Sequence, residues 1–441
     1  MFCLGRVLPA ERGTRAKPAA KRYSAEMDHL FGLVALFAIL SEFVVATTVS
    51  VLNLRAQGET PPPELADVYD RERYRKAQRY ARVRARFGLL TRCFDLALLL
   101  SFWFIGGFEQ LDRALRGLGL SSILTGLLFI FALGIGRSAL LLPFRIYDTF
   151  VLEARFGFNR TTPRTFVTDL LKGFALTAAL GAPALALALW LFERAGNLAF
   201  LYAWIAAAVL ILVLQFIAPA WLMPLFMRFT PLPDGALRER IMSYARSVSF
   251  PLENLFIVDG SRRSTKANAF FTGFGRHRRI GLFDTLIERC TEDELISIVA
   301  HEVGHYKKRH VTNGMLLSIA QLGLMLFVFG QLMQYPPLYS AFSLSEPSVY
   351  AGLTFCAFLY EPVSLVLQLV LLSRSRRNEY EADRFAVETT GLSEALVSGL
   401  KRLAGDSLSN LSPHPSYVFV NHSHPPLRER VVAIRGATPQ S

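Results

Sequence analysis

Long apolar runs alternate with arginine-rich polar segments along the 441 residues of the chain. Seven runs, at 30–52, 88–108, 121–143, 172–192, 199–225, 313–335 and 349–373, reach the ~20 apolar residues that a helix needs to cross a bilayer. Seven such runs do not fit inside one soluble core, so the pattern predicts a mainly α, multi-pass membrane protein. The polar segments 53–87, 144–171, 226–312 and 374–441 carry many arginines, 109–120 and 193–198 carry few charges, and 336–348 has no Lys or Arg. Positive charge stays on the cytoplasmic side, which predicts an outside N-terminus and a cytoplasmic C-terminus. Residues 1–26, with Arg6, Arg12, Arg15, Lys17, Lys21 and Arg22, run against that assignment. A start at Met27, just ahead of the first span, removes the conflict, and 1–26 is read as a basic tail outside the fold. The expected organisation is this tail, five spans with their loops over 27–225, a polar catalytic segment at 226–312, two spans over 313–373 and a C-terminal segment at 374–441.

Inside 226–312 the period changes. Leu255-Phe256-Ile257-Val258 reads as a short buried strand, and Ala267–Phe271 with Arg279–Phe283 as a hairpin around Thr272-Gly273-Phe274-Gly275. Thr291 followed by Glu294 is a capping box, and the apolar series Leu295, Ile298, Val299 continues it into a helix. That helix carries His301-Glu302-Val303-Gly304-His305. Two histidines at i and i+4 share a helix face and can reach one metal ion, while Glu302 lies about 100° round the helix, close enough to take a proton from water on the metal.

A catalytic zinc needs a third protein ligand and one open position. Lys308 and Val311 stand where an elongated HExxHxxGxxH motif needs Gly and His, so that class is excluded, and His310 is expected to be a surface residue. Glu379 and Asp383 are i and i+4 on a later helix that Gly391 ends. Glu379 can supply the ligand and Asp383 can hold a ligand histidine in one tautomer. Glu381 faces elsewhere and is expected to be a solvated charge. His424, held in an extended loop by Pro425 and Pro426, is a candidate donor to a developing oxyanion.

Composition narrows the rest. Apolar residues make up 52% of the chain and charged residues 19%, below the ~25% charge of a soluble protein. The net charge of +13 follows from loop topology, so no nucleic-acid partner is expected. The four cysteines, Cys3, Cys93, Cys290 and Cys356, form no CxxC and give neither a disulfide framework nor a thiolate zinc site. Glu42, Asp95, Arg137 and Glu361 fall inside spans, where each must face protein or water, as an ion pair or on a hydrated interior path.

The chain resembles the type I CAAX prenyl endopeptidases, membrane-embedded zinc gluzincins. The resemblance rests on His301–His305, on Arg377-Asn378-Glu379-Tyr380-Glu381-Ala382-Asp383, on His424-Pro425-Pro426-Leu427 and on Ser264 to Gly273. Leu282–Leu286, Ile146–Phe150 and Phe156–Arg160 extend it. It implies seven spans around a water-filled chamber, with a small α+β zincin-type catalytic domain on the cytoplasmic side. It implies one Zn²⁺ on His301, His305 and Glu379, with Glu302 as general base and His424 near the transition state. It also implies that Asn268 and Ala269 lie on an edge strand that pairs with the substrate backbone, with Arg428 facing the site. The implied partners are a prenylated C-terminal peptide or protein and membrane lipid, in the endoplasmic reticulum of a eukaryote or the inner membrane of a bacterium. Two other readings remain: a quality-control protease for misfolded or non-prenylated membrane proteins, and a transporter or channel that uses the hydrated interior.

Overall fold

The computed structural model describes residues 18–272 and 279–437. Residues 1–17 of the basic tail and Gly273-Phe274-Gly275 of the predicted hairpin lie outside the described residues. Among the described residues seven helical stretches are long and apolar enough to cross a bilayer. They are His29–Arg55, Arg71–Phe104, Ser122–Phe156, Pro163–Arg194, Gly196–Leu225, His310–Leu332 and Val349–Thr390.

Each span packs on the next, and the seventh returns to the first, which closes a ring. In spans two to five only 6% of the most apolar window is buried. A solid bundle would bury one face of every helix, so these spans are only thinly covered by their neighbours. Asp95 of the second span and Arg137 of the third form a two-pronged ion pair at 2.8 and 2.6 Å. Glu42 and Glu361 are exposed.

One end of the ring is filled by an aromatic cluster of Trp103, Phe108, Phe129, Phe342, Tyr350 and Phe355. Phe342 and Phe355 stack with ring centroids 4.1 Å apart. Gly126 permits this closure, because a Cβ there would lie 2.9 Å from both Leu189 and Tyr350. The buried Asp112 accepts hydrogen bonds from Tyr350 at 2.5 Å and Arg116 at 2.7 Å, so its charge has partners in the apolar cluster.

The other end carries the polar unit. Its four-stranded sheet has β1 (Phe229–Pro231), β2 (Asn254–Val258), β3 (Ala269–Thr272) and β4 (Arg279–Phe283), in the order β1-β2-β4-β3. β3 and β4 are antiparallel, with Ala269 opposite Leu282, and β3 is an edge strand. The core of this unit joins Leu255, Ile280 and Leu282 of the sheet to Val299, Ala300 and Val303 of the motif helix Glu292–Lys307, and to Val431 and Ile434 of the last helix.

Several helices run further than the apolar runs imply: the first begins at Pro18, inside the expected basic tail, the third stretch continues to Phe156 and the fourth begins at Pro163, while the second and seventh are extended most. The second span begins at Arg71, where Asp70 caps it by accepting the Arg73 N–H at 2.7 Å. The seventh span continues past 373 to Thr390 as one helix of 42 residues. Its polar half, Ser373–Thr390, contains no Gly or Pro, so nothing stops propagation until Gly391 takes up a left-handed φ of 69°.

Candidate active site

The motif helix starts at the predicted capping box. Thr291 Oγ1 accepts the Glu294 N–H at 3.3 Å, and Glu294 Oε2 accepts the Thr291 N–H at 2.8 Å. Glu294 is buried and also takes hydrogen bonds from Arg402 at 3.0 and 3.1 Å and from Ser398 at 2.5 Å. Leu295, Ile298, Val299 and Val303 fix the buried face of the helix. Gly304 lets it approach the seventh helix, since a Cβ there would lie 3.1 Å from the Cα and carbonyl oxygen of Ala382.

That approach brings His301, His305 and Glu379 together, with one ligand atom from each inside a 4.8 Å group. His301 Nε2 and His305 Nε2 are 3.1 Å apart. Glu379 Oε2 is 3.5 Å from the first and Oε1 is 3.3 Å from the second. Bonds of ~2.1 Å at tetrahedral angles separate neighbouring ligand atoms by about 3.4 Å. The three residues therefore fit a small divalent metal ion. Chemistry agrees: two imidazole nitrogens and a carboxylate converge, and Glu379 Oε2 is a buried oxygen without a well-aligned hydrogen bond. Asp383 Oδ1 lies 2.8 Å from His301 Nδ1, within hydrogen-bond distance but off its preferred direction.

The remaining site residues separate. Glu302 follows His301 beside the group, and burial pushes its carboxyl above the usual range, against the pull of His301 and His305. His424 Nδ1 is 2.8 Å from Glu379 Oε2, and its side chain is 63% exposed, so it forms the open rim of the site. The loop that carries it is tied down by Arg376, which donates to the His422 carbonyl at 2.8 Å. Asn268 precedes β3, which packs on the motif helix. The Asn268 carbonyl accepts from Phe283 N–H at 3.0 Å, whereas the Ala269 N–H turns away from β4 and donates to Asn268 Oδ1 at 2.9 Å.

Arg428 lies apart from this group, with its guanidinium on Glu64 at 2.9 and 3.1 Å. The arginine of the site is Arg430, which sequence reasoning did not single out. It is buried, grips Asp383 at 2.7 and 2.8 Å and reaches Glu379 at 3.3 Å. Its signal was periodicity: Leu427, Arg430, Val431 and Ile434 form one helix face that packs inward. Two expectations change. His310 is buried instead of lying at the surface, because the turn at Arg309 folds it back against His305. Glu381 is paired with His310 at 3.2 Å and Arg377 at 3.4 Å instead of being a free solvated charge.

Residues 50–228 match a family described as CAAX prenyl protease N-terminal, five membrane helices, and residues 231–438 match peptidase family M48. A probable CAAX prenyl protease 1 of Schizosaccharomyces pombe is 36% identical over 85% of this chain and 82% of its own. A CAAX prenyl protease 1 homolog of Arabidopsis thaliana is 34% identical over 93% and 97%. The crystal structure of Ste24p from S. mikatae superposes with a TM-score of 0.86 at 30% identity, over 92% of this chain and 99% of that one. The two matched segments take in spans two to seven and the polar unit together, so these spans serve a peptidase and not a transporter. The chain belongs to peptidase family M48, in its membrane-embedded CAAX prenyl protease branch, and is a multi-pass membrane metalloprotease that acts on protein or peptide.

Proposed function

We infer that the protein is a zinc endopeptidase that cleaves near the C-terminus of prenylated proteins. The observation that carries the chemistry is the convergence of His301, His305 and Glu379 at tetrahedral ligand spacing, with Glu302 beside them. Two imidazoles and one carboxylate are a common donor set for catalytic zinc. Bound there, zinc supplies a Lewis acid that polarises the scissile carbonyl and acidifies water. Glu302, next in the chain to His301, takes the proton of the attacking water and hands it to the leaving amine. Asp383, itself held by Arg430, orients His301. His424, exposed at the rim, donates to the oxyanion as it forms. The substrate enters as an added strand on β3, where the outward Ala269 N–H exchanges Asn268 Oδ1 for a substrate carbonyl.

The prenyl preference rests on the relatives, which are CAAX prenyl proteases by name, and on the thinly covered apolar spans beside the peptidase unit, against which a lipid chain can lie. The arginine-rich segments on the polar side support a site that faces the cytoplasm. The test is cleavage by the purified protein in detergent, offered a farnesylated CAAX peptide, its unprenylated twin and an unfolded membrane protein. The farnesylated peptide is expected to be cut first, between the modified cysteine and the next residue. In His424→Ala its kcat falls ~10²–10³ with KM little changed, and His422→Ala is spared. Equal cleavage of the twin, or of the unfolded protein alone, overturns the prenyl assignment.

A further inference from the structure

The Nδ1 of His305 points away from the metal group and meets the Nδ1 of His310 at 3.1 Å. His310 is buried, at 8% exposure, and its Nε2 meets Glu381 Oε2 at 3.2 Å. Arg377 stands behind Glu381 at 3.4 Å. These residues form a line from the metal group to solvent.

Hydrogen-bond polarity along the line has one solution that leaves His305 Nε2 free as a ligand. His305 carries its proton on Nδ1 and donates it to His310 Nδ1. His310 is then the Nε2–H tautomer and donates to the Glu381 carboxylate, which can only accept. A carboxylate at the far end therefore sets two tautomers in sequence, and the second presents the Nε2 lone pair of His305 to the ion.

The backbone is bent to make this contact. In an unbroken helix residues five apart lie about 140° apart around the axis, so His310 could not face His305. Arg309, at φ 57°, takes the left-handed conformation that a side chain disfavours, ends the motif helix and starts the sixth span with His310 at its first position. Strain of this kind persists where the surroundings hold it, and here it places one buried imidazole against a ligand.

We propose that His310 and Glu381 are positioning residues for the metal: Glu381 fixes the tautomer of His310, and His310 fixes the ring and tautomer of His305. The inference rests on the reading of His301, His305 and Glu379 as ligands. The partner is unusual in kind, since an imidazole stands between the ligand and the carboxylate that normally holds it.

The test is the zinc dissociation constant of the purified full chain, by chelator competition, with the visible spectrum of the cobalt-substituted protein and the melting temperature of the metal-free form. His310→Phe, which keeps a ring but removes both nitrogens, is expected to weaken zinc about 10–100-fold and to shift the cobalt bands. Glu381→Ala, at a half-exposed site, is expected to weaken zinc with no change in metal-free melting. Glu381→Gln, whose carbonyl still accepts, is expected to restore most of the affinity. Wild-type affinity and an unchanged cobalt spectrum in Glu381→Ala overturn the proposal, and so does a Glu381→Gln no better than Glu381→Ala. Should His310→Phe fail to fold, the Glu381 pair decides alone. A wild-type chain that binds no zinc overturns the ligand reading itself, a result distinct from a wild type that binds and variants that bind equally.

Discussion

Glu302 and Glu379 stand beside the same two histidines, and their losses are expected to differ. Glu379 offers one carboxylate oxygen to each imidazole nitrogen at 3.3–3.5 Å, so Glu379→Ala removes the proposed third ligand and the protein is expected to purify without zinc. Glu302→Gln keeps its bulk and leaves the ligand group whole. It is expected to keep one zinc per chain while kcat falls ~10²–10⁴. Metal content by elemental analysis beside a peptidase assay separates the two. Equal zinc loss in both variants would overturn the division of labour. Which residues gather here was partly legible from spacing. His301 and His305, or Glu379 and Asp383, are each one helix turn apart, and a turn is local. Arg430 and His310 reach the group by tertiary paths. The first arrives on a separate helix. The second depends on one left-handed residue, Arg309, that no helix period announces.

At the scale of elements, the motif helix is anchored by its first turn. Glu294 accepts from its own N-cap and from Arg402 across to the helix Ser393–Asp406. Burial alone would raise this carboxyl, but the hydrogen bonds from Arg402, Ser398 and Thr291 leave it below its ordinary value of 4.5. A depressed folded pKa means that the stabilisation is complete above the ordinary value and is lost as pH falls through the folded one. Glu294→Gln is therefore expected to cost about 1–3 kcal/mol at pH 7, less than a fully enclosed pair because Arg402 keeps 41% of its side chain in water. Melting temperatures of variant and parent should converge as pH falls below the ordinary carboxyl value of 4.5. A gap that holds or widens in acid removes Glu294 as its source. The capping box was legible because it is a four-residue pattern. The continuity of the seventh helix was not, because a window that scores hydropathy ends where apolar character ends, at 373, although helical propensity does not.

For the whole molecule, the ring, the aromatic cluster at one end and the peptidase unit at the other give the chain a polarity. Ser343, exposed in the segment without Lys or Arg, lies with the aromatic cluster. In a background with the four cysteines replaced by alanine, Ser343→Cys is expected to react with a membrane-impermeant maleimide from the non-cytoplasmic side of sealed vesicles. Labelling only after the vesicles are opened would reverse the orientation. The seven spans were legible because lipid demands ~20 apolar residues whatever the partner. The closing of the ring was legible only through the resemblance, because spacing within a helix says nothing of which helix stands beside it.

The seventh helix links the two ends of that polarity without interruption. Phe355 sits in the aromatic cluster and Glu379 in the metal group, 24 residues apart on one rod, or about 36 Å at 1.5 Å per residue. Pro362 lies between the two, and Ala382 beyond them packs on Gly304 of the motif helix, so the helix is held at both ends. A swing of about one degree at Phe355 carries Glu379 sideways by about 0.6 Å, which already exceeds the ~0.5 Å within which a catalytic group must be held. The helix that carries Glu379 is thus seated at two points, the aromatic cluster and the motif helix, and slack at either is carried along it to the candidate metal group.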